Sequence, residues 1–299
     1  MEKVSYKAAL EGFLSWLRIE RNLAPRSRKA YQYDLERFHD WFMDVQSNDT
    51  LAAISGSTCE DYLRHLRDDL NCETPTINRY FASLQAFFTY AILQEWLSEN
   101  PLKLIARSQT PKKLPVYLAE DELRRLFLAP DQTTAKGIRD YAAVVTLAYG
   151  GLRVSELVGL NTTDVDFNRD TLRVLGKGRK ERLVPMNQDL RQALVQYLEA
   201  DLRVPAPGEK ALFLNAKGKR ISVRAVQYIV DELATAAGVE KDVISPHKLR
   251  HTFATLLHKN DVDLIDIQAL MGHASLASTQ IYTHTDTRRL KQTIDLLDF

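Results

Sequence analysis

The sequence predicts a mainly α-helical protein of two domains, the second of which contains a small three-stranded antiparallel sheet. Its 299 residues are enough for two hydrophobic cores, since single domains seldom exceed about 250–300 residues. Apolar residues recur at helical spacing along most of the chain. One segment, "DVDFNRDTLRVLGKGRKERLVPM", instead has short β-prone stretches between turn-forming residues, which indicates the sheet.

The first domain is predicted over residues 1–107 as four or five helices. Two apolar stripes define its first helices, formed by Tyr6, Leu10, Phe13, Leu14 and Leu17 and by Tyr31, Leu35, Phe38 and Phe42. The pattern continues through 58–70 and 76–95, and "ENP" at 99–101 ends it. A linker is predicted at 108–116, where prolines and basic residues interrupt the periodicity.

The second domain is predicted over residues 117–299 and begins with a helix at "AEDELRRLF". Its strands are expected at Val165–Phe167, Thr171–Leu175 and Arg182–Pro185, separated by "NRD" and "GKGRK" turns. Helices are predicted near 187–203, 222–237, 247–259, 262–271 and 276–283.

Composition excludes several classes of protein. No apolar run approaches the roughly 20 residues that span a bilayer, and the N-terminus lacks the apolar core and cleavage site of a signal peptide. Two cysteines cannot form a disulfide framework or a metal cluster. We therefore expect a cytoplasmic protein without membrane insertion.

The charge is nearly balanced, at +1, so any affinity for nucleic acid must come from local basic clusters. The densest is "RVLGKGRKER" at 173–182, and the second is "APRSRKAY" at 24–31. These clusters and one further arginine provide the candidate DNA-contacting residues Arg26, Arg28, Lys29, Arg79, Arg179 and Lys180.

Six residues in four segments form a candidate catalytic set. "AYGGLRVSELVGL" contains Arg153 at a helix start, where the charge of the arginine adds to the N–H groups that favour an anion. The Gly–Lys–Gly turn presents Lys177 on a mobile arm. "SPHKLRHTFATLL" holds His247 and Arg250, and "LMGHASLASTQIYTHTD" holds His273 and Tyr282.

This set of side chains fits attack by a tyrosine on a phosphodiester. The two arginines would bind the non-bridging oxygens and offset the charge that develops at phosphorus. The phenol of Tyr282, with a reference pKa of roughly 10, needs a base or a positive potential to lose its proton. Lys177 would protonate the leaving 5′-oxygen, and His247 and His273 could move protons near neutral pH.

Four motifs together resemble the tyrosine recombinase (phage integrase) family. They are "GLRVSEL", "GKGRKERLVP", "HKLRHTFAT" and "LMGHASLASTQIYTH", and they supply all six candidate positions. "APRSRKAYQYDLERFHDWF" resembles the N-terminal signature of that family more weakly. The chain looks most like the Xer-type members, which resolve chromosome dimers.

The resemblance implies a SAM-like, core-binding N-terminal DNA clamp and a catalytic domain that needs no metal or cofactor. Tyr282 would form a 3′-phosphotyrosyl link at a double-stranded DNA recombination site. Four subunits, identical or including a paralogue, would assemble on two DNA sites in the nucleoid, and a DNA translocase is a candidate regulator. The apolar stripe Leu290, Ile294, Leu297 and Phe299 would dock into a neighbouring subunit.

Alternatives stay open from the sequence alone. Arg153 could simply pair with Glu156, Lys177 could be a solvated turn residue, and Tyr282 could be a half-buried core residue. His251, His284 and Lys180 are interpreted as structural or DNA-contacting. The other functions weighed are a mobile-element integrase, a type IB topoisomerase, a non-catalytic DNA-binding protein and, more weakly, a His-metal hydrolase. We expect alanine at Arg153 or Arg250 to permit folding and abolish cleavage.

Overall fold

The computed structural model describes residues 4–109, 117–176, 180–200, 203–240, 244–272 and 294. The chain divides into two compact units, residues 1–113 and 114–299. Both are mainly helical, as predicted. Within the described ranges, none of the helices has the length and apolar character required to cross a membrane.

Over residues 4–109, the N-terminal unit has four helices around an aromatic core. They are α1 (Tyr6–Ile19), α2 (Pro25–Gln46), α3 (Gly56–Asp68) and α4 (Thr74–Leu93), with a short 3₁₀ helix at Leu51–Ala53. Side chains of Ser5 and Ser55 accept hydrogen bonds from the first turns of α1 and α3, and Pro25 begins α2. The predicted apolar stripes bury Phe13 and Phe38 completely.

Seven helices lie in the described part of the second unit. They are α5 (Glu120–Leu128), α6 (Ala135–Gly150), α7 (Val154–Gly159), α8 (Gln188–Glu199), α9 (Val223–Ala236), α10 (Pro246–Lys259) and α11 (Leu264–Met271). Helix α6 is apolar on nearly every side over 142–150 and is buried there. It packs against α8 and α10, so it forms the centre of the unit.

The predicted sheet is present with the order β1-β2-β3 and antiparallel pairing. Its strands are β1 (Val165–Asp166), β2 (Thr171–Leu175) and β3 (Glu181–Pro185). Alternate residues face the core, so Leu172 and Val184 are opposite each other and buried. The amide of Gly176 donates to the carbonyl of Lys180 (2.8 Å), which closes the β2–β3 hairpin. The predicted helix at 276–283 lies outside the described residues.

Candidate active site

The junction between α6 and α7 fixes the position of Arg153. Helix α6 ends at Gly151, which has a φ of 56° in the left-handed region that favours glycine. Arg153 then begins α7, and its backbone N–H donates to Oε2 of Glu156 (2.9 Å), three residues later. The same carboxylate accepts from Nη1 of Arg153 (2.7 Å), while 37% of the arginine side chain stays exposed. The sequence-based alternative of an Arg153–Glu156 pair is therefore real, but it leaves part of the guanidinium facing solvent.

Helix α10 contributes His247, which is exposed, and Arg250, which is buried. Ser245 caps the helix by accepting from the backbone N–H of Lys248, and Pro246 occupies its first turn. His247 is exposed in that turn. Arg250 points inward with a side chain only 4% exposed, and its two Nη atoms donate to the carbonyls of Gly151 and Met271.

Arg153 and Arg250 meet at Glu156, which lies inside a cluster of three arginines. Nη1 of Arg250 is 3.7 Å from Oε2 of Glu156. The third arginine is Arg182 of β3, whose Nη1 and Nη2 donate to the two carboxylate oxygens at 3.1 Å and 2.8 Å. Three positive charges against one negative charge give this cluster a net positive charge, which suits a phosphodiester.

Burial and charge act on these groups in opposite directions. Burial favours the neutral form of Glu156, but the hydrogen bonds and charge of Arg182, followed by the donors of Arg153, hold its pKa below the usual value. Desolvation, followed by the charge of Arg153, lowers the pKa of Arg250 to about 10. Both groups are therefore ionised at neutral pH.

The C-terminal end of α11 adjoins the same cluster. Its last carbonyls, those of Leu270 and Met271, accept from Nε of Arg182 (2.9 Å) and from Nη2 of Arg250. Cationic donors at this end of a helix satisfy carbonyls that have no helical partner. Gly272 then takes a φ of 62° and ends the helix, one residue before His273.

Helix α7 is held from its other end by Arg220. Nη1 of Arg220 donates to the carbonyls of Val158 (2.6 Å) and Leu160 (2.9 Å), and its Nη2 donates to Oδ1 of Asn161 (2.6 Å). This six-residue helix is too short to be stable alone. Its orientation, and with it that of Arg153, therefore depends on contacts at both ends.

Five residues singled out from the sequence fall outside the described ranges. Lys177, Arg179, His273, Tyr282 and His284 lie outside the described residues, as does the tail apart from Ile294. Ile294 is fully buried within the hydrophobic core of its own unit. The catalytic roles of the six candidate residues stay predictions. Of these six residues, the structure brings Arg153 and Arg250 together.

The candidate DNA contacts of the N-terminal unit lie at the start of α2 and on α4. Arg26 and Lys29 are exposed, whereas Arg28 is half-buried. Arg79 pairs with buried Asp34 and lies over the ring of Tyr80, with 44% of its side chain exposed. In the second unit, Lys180 is exposed beside the hairpin tip.

The sequence-based search missed Arg182 and the central position of Glu156. The sequence pattern places Arg182 only at the end of a basic run and at the start of a predicted strand. Strand alternation could have identified it, because position 182 is opposite Val174, whose side chain is buried. An arginine at a core-facing strand position requires an acidic or carbonyl partner.

The described side chains of the site do not form a metal-binding cluster. Among the residues that the structure describes, no group of three or more His, Cys, Asp or Glu side chains could hold a metal ion. The polar groups of the site are instead guanidiniums, one carboxylate and main-chain carbonyls.

Two family models match the chain. The model described as "Phage integrase family" matches residues 116–289, and "Phage integrase, N-terminal SAM-like domain" matches residues 10–95. The chain belongs to the phage integrase family. This confirms the family indicated by the sequence motifs and the predicted combination of a SAM-like helical domain with a helical catalytic domain.

Curated relatives of this phage integrase family member match over nearly their whole length. The tyrosine recombinase XerC of Pelotomaculum thermopropionicum is 38% identical over 292 residues, which is 95% of each chain. That of Halalkalibacterium halodurans is 36% identical over 290 residues, or 94% of each chain. The matches thus cover at least 94% of each of these relatives.

Solved structures in the family share the fold. The XerH site-specific recombinase bound to palindromic difH substrate, in a post-cleavage complex, matches with a TM-score of 0.72 and 26% identity, covering 95% of this chain and 83% of that one. The XerA recombinase is 31% identical, with a TM-score of 0.50 and 96% coverage of both chains. The observed helices and small sheet are therefore those of a tyrosine recombinase fold.

Proposed function

We propose that this protein is a site-specific tyrosine recombinase that cuts and rejoins DNA strands through a 3′-phosphotyrosyl intermediate. The observation that carries the proposal is the meeting of Arg153 and Arg250 at one carboxylate, beside the helix end that precedes His273. Two guanidiniums of fixed geometry can bind the non-bridging oxygens of a phosphodiester. Membership of the phage integrase family and full-length similarity to XerC proteins support the same activity.

The proposed roles follow from the chemistry of each side chain. Tyr282 attacks the phosphorus and releases a 5′-hydroxyl, and Arg153 and Arg250 stabilise the charge that develops on the phosphoryl oxygens. Lys177 protonates the leaving 5′-oxygen, while His247 and His273 assist proton movement. The covalent link keeps the energy of the broken bond, so the 5′-hydroxyl of a partner strand can displace the tyrosine and form a new phosphodiester.

The activity can be tested with a nicked suicide substrate, which loses its 5′-hydroxyl fragment and traps the covalent adduct. We expect an adduct with the wild-type protein and none with Tyr282→Phe. Tyr228→Phe, which changes an exposed tyrosine of α9, is a matched control and should still form the adduct. DNA binding without any wild-type adduct would indicate a non-catalytic DNA-binding protein.

The biological reaction we propose is resolution of chromosome dimers at cell division. The relatives at 35–38% identity are named as tyrosine recombinase XerC, which favours this role over mobile-element integration. Covalently attached DNA can be recovered from cells and sequenced. A single chromosomal site near the replication terminus would support the proposal. DNA from the ends of mobile elements at many positions would instead indicate a mobile-element integrase.

The proposed assembly is a tetramer on two recombination sites, with docking of the C-terminal tail between subunits. The burial of Ile294 in the core of its own unit means that a deletion must start after this residue to preserve folding. Removing residues 295–299 deletes Leu297 and Phe299 from the predicted apolar stripe. We expect this truncation to keep the thermal midpoint but lose synapsis, and full recombination would exclude the docking role.

The proposal also includes a cytoplasmic, nucleoid-associated location and two kinds of protein partner. One is a paralogous recombinase that completes the tetramer, and the other is a regulatory DNA translocase. Recombination by the purified chain alone on two identical sites would show that no paralogue is needed. A requirement for a second recombinase from the same cell would establish a heterotetramer.

A further inference from the structure

Arg182 links three elements of the catalytic unit through one side chain. It starts from β3, five residues after Lys177 in the sequence. Two of its nitrogens donate to the two oxygens of Glu156 on α7, and Nε donates to the carbonyl of Leu270 in the last turn of α11. Only the planar guanidinium can make a bidentate carboxylate contact and a third bond in a fixed direction.

Burial makes these bonds necessary. The side chains of Arg182 and Glu156 are 13% and 3% exposed, so solvent cannot replace a lost partner. A buried carboxylate without donors would draw other guanidiniums toward itself. The nearest are Arg153 and Arg250, which already contact Glu156.

Arg182 also contacts the turn that precedes His273. A Cβ atom added to Gly272 would lie 3.1 Å from both Cδ and Nη1 of Arg182. The arginine therefore packs directly against the residue that ends α11.

We propose that Arg182 is a positioning residue for DNA cleavage, which holds Glu156 and the end of α11 so that Arg153 keeps its outer edge free for phosphate. The inference rests on the proposed function, because it concerns the same cleavage step. Arg182 itself does not touch the scissile phosphate in this role. It acts through Arg153 and through the helix end before His273.

The role predicts a specific kinetic signature for Arg182→Met, which keeps the length of the side chain but removes its donors. Cleavage of a saturating nicked suicide substrate should fall about 100-fold, as expected for small displacements of catalytic groups. The affinity for DNA should change less than threefold, because Arg182 does not touch phosphate in this role and the DNA contacts elsewhere in the protein are unchanged. A folded variant that cleaves within threefold of wild type would refute the proposal.

Arg182→Lys separates positioning from charge and also covers the case in which the methionine variant does not fold. Lysine restores the positive charge but cannot form the bidentate contact and the bond to Leu270 together. We expect its cleavage to stay at least tenfold below wild type. Cleavage at the wild-type rate would show that the charge alone matters, and would overturn the positioning role.

Two comparisons complete the experiment. Arg191→Met removes an exposed arginine–carboxylate pair with Asp170 at the opposite end of the sheet, and should cleave like wild type. A bridging 5′-sulfur, which leaves without protonation, should not accelerate Arg182→Met relative to wild type, since Arg182 does not serve the leaving group. Absence of an adduct with wild type would reject the proposed function itself, whereas normal cleavage by Arg182→Met would reject only this inference.

Discussion

Arg153 and Arg250 reach the same carboxylate from two different helices. Nη1 of Arg153 lies 2.7 Å from Oε1 of Glu156, and Nη1 of Arg250 lies 3.7 Å from Oε2. Their surroundings differ, because Arg153 keeps a solvent-facing edge and Arg250 is buried among main-chain carbonyls. Substitutions at the two positions should therefore affect stability differently.

Arg250→Ala is expected to destabilise the catalytic unit as well as to abolish cleavage. It leaves the carbonyls of Gly151 and Met271 without their buried donor, and breaking buried charged contacts costs about 3–5 kcal/mol. Arg153→Ala should cost about 1 kcal/mol or less, since its pair is partly exposed. Urea unfolding of both variants measures the difference, and equal stabilities would contradict it. This revises the expectation from sequence that both variants fold normally.

The ion pairs of Glu156 should make the free energy of unfolding depend on pH in the acid range. Its folded pKa lies below the ordinary 4.5, so its contribution is complete above that value and is lost as the pH falls through the folded pKa. Glu156→Gln should be less stable than wild type at pH 7, and the gap should narrow below about pH 4.5. Denaturant unfolding from pH 3 to pH 7 tests this. Glu181→Gln, at an exposed position of β3, should follow the wild-type curve, and a constant gap for Glu156→Gln would disprove the explanation.

Gly151→Ala should destabilise the protein strongly. A left-handed conformation costs a residue with a Cβ about 1–2 kcal/mol, and this Cβ would lie 2.5 Å from Cδ1 of Phe253. We expect a loss above about 2 kcal/mol once overpacking is included. Gly159→Ala is the matched control, because its Cβ would meet nothing within 4 Å and alanine favours the helix. Equal thermal midpoints for the two variants would rule out the steric argument.

Lys177→Ala should slow cleavage of an ordinary phosphodiester and recover on a substrate with a bridging 5′-sulfur. The reason is that a thiolate leaves without the proton that Lys177 would supply. Single-turnover cleavage of the two substrates gives the comparison. Arg153→Ala should not recover, because the charge on phosphorus still needs its donor. If Lys177→Ala cleaves the 5′-sulfur substrate no faster than the ordinary one, a histidine and not Lys177 would be the general acid.

Local signals were sufficient to predict most of the second unit's elements. The Ser245–Pro246 pair predicts the start of α10, and Gly150 and Gly151 predict the break before Arg153. The β-prone stretches predict the bounds of β2 correctly, and those of β1 and β3 to within one residue. Such signals work because capping and turn formation depend on residues close together in sequence.

The packing of the site could not be predicted in the same way. The sequence offered Glu156 only as a neighbour of Arg153, because its contacts with Arg182 and Arg250 join segments far apart in the chain. A spacing of three residues puts Arg250 next to exposed His247 on the helix surface, yet Arg250 is buried. Whether an arginine is exposed or enclosed depends on which elements pack around it, and periodicity does not report this.

The clamp of Arg220 on the far end of α7 has a consequence for thermal behaviour. Because this six-residue helix is held by a side chain from another segment, it can fray while the large core around α6 stays intact. The nucleophile and the scissile DNA would then still be present, but the arginine at position 153 would lose its fixed direction. On heating, strand cleavage should cease several degrees before the domain melts.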